Sequence, residues 1–123
     1  MDSELNRERF REIPLDSLGL DEMASGHASL VLTSSVSWED FPDYALTFVR
    51  CVEGRSSNLL EAADVRIAPV YVEGEELRLV FEDYPQMISL ESTTAAGDRI
   101  LYRLFGVLKE QCSASVGGGQ PEL

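Results

Sequence analysis

Hydrophobic and polar positions alternate most clearly over residues 64–92, and the pattern predicts three strands joined by two tight turns. Val70, Tyr71 and Val72 lead into Glu73-Gly74-Glu75-Glu76, and Leu77, Arg78 and Leu79 follow. A Gly between a β-branched run and an alternating run signals a hairpin, because Gly supplies the positive φ that tight turns need. With Gly74-Glu75 at the tip, Val72 is expected to face Leu77, Val70 to face Leu79, and Ala68 to face Phe81. The second turn is expected over 82–86, where Pro85 presets φ. It sets Phe81 across from Ile88, Leu79 across from Leu90, and Arg78 across from Glu91 on the other side. Such a cross-strand charge pair contributes roughly 0.2–1 kcal/mol. Both turns select one buried face: Ala68, Val70, Val72, Leu77, Leu79, Phe81, Ile88 and Leu90.

Upstream, residues 28–35 alternate as a strand, with Ala28, Leu30 and Leu32 on one side and Ser29, Val31 and Thr33 on the other. A helix is expected next, running to about Glu53, with the stripe Trp38, Phe41, Ala45, Phe48 and Val52. Pro42 does not suit a helix interior, so either Ser37 caps the helix or Asp40 caps one whose first turn holds Pro42. Gly54 is the expected stop. A second helix is expected from Thr93 or Thr94, with the stripe Leu101, Leu104, Phe105, Leu108 and Cys112. Residues 1–26 are charge-rich and turn-rich. They hold either a short helix near 5–12 or an edge strand near 9–15. Residues 113–123 are small and polar, as in a disordered tail.

These elements predict one α+β domain over 27–112, with the order β-α-β-β-β-α. It is a two-layer sandwich: a mostly antiparallel four-stranded sheet with both helices on one face. Pro69 prefers an edge, so the spatial order is expected to be 2-3-4-1. The helical crossover suggests that strands 1 and 2 run parallel.

Length and charge narrow the function classes. The chain has 123 residues and a net charge of −12, with 22 acids against 10 bases. Such a surface disfavours nucleic acid and anionic lipid and would suit a basic protein partner. The first residues lack an apolar signal segment, and no apolar run is long enough to span a membrane. Cys51 and Cys112 lack metal-ligand spacing and read as small buried hydrophobes. A cytoplasmic protein is the expectation.

Candidate chemistry is sparse. The single histidine, His27, reads as a solvent-exposed loop residue. The acid pairs Glu75-Glu76 and Glu82-Asp83 read as solvated turn charges. No phosphate loop, nucleophile elbow or metalloprotease motif is present, and no cofactor is expected. The sheet face turned away from the helices is less polar than a solvated face should be. It carries Val65, Ile67, Pro69, Tyr71, Val80 and Met87, alongside Arg78, Ser89 and Glu91. Two explanations stand level. The face is a contact site, with Tyr71, Val80 and Met87 close together and Arg78 and Glu91 beside them, or it is covered by Phe10, Ile13, Leu15, Leu18 or Leu20.

The runs Ser37-Trp38-Glu39-Asp40-Phe41-Pro42, Glu82-Asp83-Tyr84-Pro85 and Ser89-Leu90-Glu91-Ser92 resemble a family of short bacterial proteins of unknown function. The resemblance spans 30–108 and implies a bacterial source and a single domain. It carries no activity and no site. The leading expectation is therefore a non-enzymatic protein-binding module, for instance an immunity-type inhibitor of a basic toxin. It would be a monomer, or a weak homodimer that tightens as salt is raised. The alternative is a small enzyme or ligand-binding protein with a cleft near His27 or Tyr84.

Overall fold

A computed structural model describes residues 7–83 and 85–117. The chain opens with a 3-10 turn, Arg7–Phe10. Strands β1 (Gly19–Glu22) and β2 (Ala28–Thr33) follow, then helix α1 (Phe41–Cys51). Two short strands come next, β3 (Arg55–Ser56) and β4 (Leu60–Glu61). The long strands β5 (Val65–Val72), β6 (Glu75–Asp83) and β7 (Gln86–Glu91) lead into helix α2 (Ala95–Gly117). The fold is α+β, with two helices against an antiparallel sheet of seven strands.

The sheet order is β1-β2-β7-β6-β5-β3, with β4 also paired to β5. The four expected strands stand side by side as β5-β6-β7-β2, but the sheet is larger than four strands. β1 extends it beyond β2, and β3 and β4 extend it beyond β5. The expected parallel relation is also corrected. β2 is antiparallel to β7, and β7 and β5 each pair antiparallel with β6, so β2 runs opposite to β5. The reason lies after α1. The chain climbs through β3 and β4 before it turns down β5, and that adds one reversal to the simple crossover.

The first hairpin is tighter than expected. Glu73 and Gly74 both have positive φ, 53° and 82°, so they form the two-residue turn whose twist suits a hairpin. The pairs are then Val70 with Leu77, Ala68 with Leu79, and Arg66 with Phe81. The expected pairs are displaced by two residues, which leaves every side chain on its expected face. The second hairpin has the expected register: Phe81 with Ile88, Leu79 with Leu90, and Arg78 with Glu91.

All eight residues of the expected inner face are buried, and they form one cluster with the helix side chains. α1 contributes Phe41, Tyr44, Ala45, Phe48 and Cys51, and α2 contributes Ile100, Leu101, Leu104 and Leu108. The Phe81 ring lies 5.7 Å from that of Phe41 and 5.8 Å from that of Trp38. Arg66 stacks over Trp38 at 4.7 Å and donates to its carbonyl at 2.6 Å.

Helix ends follow local chemistry. α1 begins after Asp40 with Pro42 in its first turn, yet the Asp40 side chain makes no capping bond. Instead the Asp40 amide donates to Ser37 Oγ at 3.2 Å. At the other end Glu53, not Gly54, takes the left-handed conformation, at φ 56°. The Gly54 amide donates to the Val49 carbonyl and the Glu53 amide to the Arg50 carbonyl, which is the Schellman closure. Gly54 is needed for space: a Cβ there would lie 2.6 Å from the Tyr71 carbonyl oxygen. Thr94 caps α2, its Oγ1 accepting from the Gly97 amide at 2.9 Å. The backbone of α2 is helical to Gly117, past the expected limit at Cys112. The rest of the expected tail, residues 118–123, lies outside the described residues.

The N-terminal segment belongs to the helical layer. Phe10 and Ile13 are buried in the core cluster, and Phe10 packs against Phe48. Among the described residues its only strand is β1, not a strand near 9–15. Asp16 then ties the segment to the end of β2. It accepts from Thr33 Oγ1 at 2.8 Å, Ser35 Oγ at 2.6 Å, and the Ser34 amide at 3.0 Å. A bulge between Val31 and Thr33 turns Thr33 inward with Leu32, against the expected alternation. Asp16 satisfies the hydroxyl so buried.

Partial burial raises the Asp16 pKa, but bonds from Ser35, Ser34, Thr33 and Ser17 outweigh it and hold the carboxyl well below the usual range. A folded pKa below the unfolded value contributes stability above the unfolded pKa and loses it as pH falls through the folded one. Asp16→Asn is expected to lower the thermal midpoint at neutral pH. The gap to the parent should close as pH drops below about 4. A gap that stays constant down to pH about 2 would remove Asp16 from this role.

Candidate functional site: the open face of the sheet

The registers lay out the face opposite the helices row by row. One row crosses five of the seven strands: Leu60 faces Ile67, Ile67 faces Val80, Val80 faces Ser89, and Ser89 faces Val31. Four of these five side chains are apolar. The neighbouring row is polar, running Asp21, Ser29, Glu91, Arg78 and Pro69. On the other side Met87 faces Glu82, and Glu82 faces Val65. The outermost row is Arg55, Tyr71 and Glu76. An apolar band therefore crosses the sheet between charged borders.

The band is not covered by the segment offered as its lid. Phe10 and Ile13 lie in the core, and Leu15, Leu18 and Leu20 pack against that same core. Leu20 sits opposite Leu30, which points to the helices. Exposure along the band is graded. Val80 is 5 % and Ser89 7 % exposed, while Leu60 at the rim is 54 % exposed. Val31 and Ile67 are half-buried between them. Val80 is buried yet stands outside the core cluster.

The five expected contact residues are not one cluster. Val80, Arg78 and Glu91 are neighbours across β6 and β7. Met87 adjoins Val80 by one diagonal step, but Tyr71 sits opposite Glu76, two rows away. At roughly 6.7 Å per row, Tyr71 and Met87 are about 20 Å apart along the strands. Val31, Ile67 and Leu60 join the band instead. Val31 belongs to β2, and Leu60 to a strand too short to show any alternation.

Electrostatics on this face are unbalanced. Burial pushes the Glu91 carboxyl pKa up, the Glu82 charge pushes it further, and Arg78 only partly offsets them. Asp21, Glu76, Glu82 and Glu91 stand against Arg55 and Arg78.

His27 departs from expectation. Its Nδ1 lies 2.9 Å from Asp98 Oδ2, and the other Asp98 oxygen accepts from the Ala28 amide at 2.9 Å. Burial raises the Asp98 pKa, but the bonds from the Ala28 amide and His27 outweigh it and hold the carboxyl below its usual range. A carboxylate orienting an imidazole is two-thirds of a nucleophilic triad. Its nearby hydroxyls serve structure: Ser25 Oγ accepts from the His27 amide, and Ser92 Oγ donates to the Thr94 carbonyl. The pair pins the start of β2 to α2. Tyr84, the other proposed cleft residue, lies outside the described residues. Among the described residues there is no group of three or more potential metal ligands, and no helix is long and apolar enough to cross a membrane.

No curated protein and no solved structure matches the chain. One family does, over residues 18–109, a span that takes in β1, all of the apolar band and the start of α2. The chain belongs to the family described as Protein of unknown function (DUF3630).

Proposed function

We propose that the protein is a binding module that takes a basic protein partner on the open sheet face. The observation that carries this reading is the apolar row Leu60, Ile67, Val80 and Val31, interrupted only by Ser89 and bordered by acidic side chains. Apolar centres with charged rims are the composition of protein contact sites. The face carries more acids than bases within a chain of net charge −12, so a cationic partner is steered in and a second copy is repelled. An immunity-type inhibitor of a basic toxin is one form of this activity, in the cytoplasm of a bacterium.

The test is affinity capture from the host, with parent and Leu60→Ser/Ile67→Ser baits compared. The parent should retain a basic protein that elutes as salt is raised, and the variant should lose it at least about tenfold. Equal retention by both baits would remove this face. Sedimentation across a salt series should give a monomer, or a dimer that tightens with salt. Dimers that dissociate as salt rises would contradict the charge argument.

A further inference from the structure

The other layer carries a second surface, between α1 and the N-terminal segment. Two hollows lie there. One, of about 670 Å3, is lined by Arg9, Arg11 and Arg50 with Glu8, Thr47 and Cys51. The other, of about 220 Å3, is lined by Asp40, Asp43, Pro14, Val36 and Tyr44. Glu12 and Thr47 line both, so the hollows adjoin. The first gathers three guanidinium groups beside Glu8 and Glu12, and the second holds Asp40 and Asp43.

On α1 the polar lining is Asp43, Thr47 and Arg50, spaced by four and three residues and therefore on one helix face. Acid first and base last also complements a helix dipole, so that order alone implies no ligand. Two further observations do. The facing segment adds Arg11 to the basic hollow and sets Glu12 between the two. Neither Asp43 nor Arg50 has an ion-pair partner among the described residues. Among the described residues Arg11 reaches only Glu8, at 3.9 Å, with both side chains mostly exposed. Arg9 is spent on Glu53. Arg50 and Arg11 at one end, and Asp43 at the other, are thus open to the two charges of one ligand.

At a rise of 1.5 Å per residue, Asp43 and Arg50 are about 10 Å apart along α1. A free amino acid is too short to bridge them. At roughly 3.3–3.6 Å per residue, an extended chain of about three residues has the right span between ammonium and carboxylate. We propose that this groove binds a short peptide through its two free termini, the carboxylate at Arg50 and Arg11 and the ammonium at Asp43. Thr47, midway, offers a hydroxyl to the peptide backbone. The site is independent of the open sheet face, and either can exist without the other.

Titration of the full chain with triglycine, followed by amide NMR at fixed ionic strength, tests this. Saturable shifts are expected at Glu12, Thr47 and Arg50. N-acetyl-triglycine and triglycine amide should each bind at least about tenfold more weakly, the loss expected for one charge-assisted contact. Glycine should be weaker still. Arg50→Gln and Asp43→Asn, both at exposed positions, should reproduce those losses, while Arg99→Gln on α2 should not. The proposal is overturned if triglycine gives no saturable shift, if blocking a terminus leaves affinity unchanged, or if Arg99→Gln weakens binding as much as Arg50→Gln.

Discussion

Val70→Asp is expected to abolish folding or cost at least about 4 kcal/mol, while Tyr71→Asp one residue on costs roughly 1 kcal/mol. The two positions are adjacent on β5 and differ only in face. Val70 is 0 % exposed and sits between Leu77 of β6 and Ser56 of β3. Its side chain points into the cluster beneath both helices, where no cation waits to pair with a carboxylate. A carboxylate placed there keeps neither its water nor a partner, so it protonates at a large cost or breaks the packing. Tyr71 is half-buried on the opposite face, where Arg55 is its cross-strand neighbour. Urea unfolding of the two variants measures the difference. Similar losses in both would mean that the sheet is not buried on one side.

Phe81→Ala is expected to cost about 3–5 kcal/mol. The ring is fully buried and joins three elements: it meets Phe41 of α1, Trp38 of the lead-in to α1, and the β5 and β7 strands through Arg66 and Ile88. Removing it leaves a cavity beneath the first turn of α1, and that turn cannot collapse far because Pro42 sets its backbone. Trp38 loses the edge contact that holds it under Arg66. Near-ultraviolet dichroism of this single tryptophan should weaken together with stability. A loss below about 1.5 kcal/mol would show that the neighbouring rings refill the space.

The sequence revealed the inner face because alternation is insensitive to a displacement of two residues. Val70, Leu77 and Leu79 point inward whichever pairs they form. The same insensitivity hid the pairing itself, which depends on Glu73 accepting positive φ. A glutamate carries no signal for that conformation, and the same is true of Glu53 at the end of α1. β3 and β4 are two residues each and lie in a polar stretch, so no periodicity could betray them. Without them the crossover looked parallel. Phe10 and Ile13 were legible as apolar, but nothing local said which layer would take them. On the open face Val80, Arg78 and Glu91 were placed together because one hairpin sets their register. Tyr71 was drawn toward Met87 by the displaced hairpin. The groove beside α1 depends on a contact between distant segments, and its polar lining is ordinary solvent-facing helix until Arg11 and Glu12 arrive.

The β5–β6 hairpin can bury the same apolar set in two registers, two residues apart. Burial alone therefore does not favour the native branch. What separates the branches is polar and specific. In the native register Arg66 stands opposite Phe81, its guanidinium over Trp38 and bonded to Glu61. In the slipped register Ala68 takes that place, and the guanidinium is carried away from Trp38, while Glu61 on β4 moves with it. Arg66 therefore selects the register: its contacts deepen the native basin and widen the gap to the nearest decoy together.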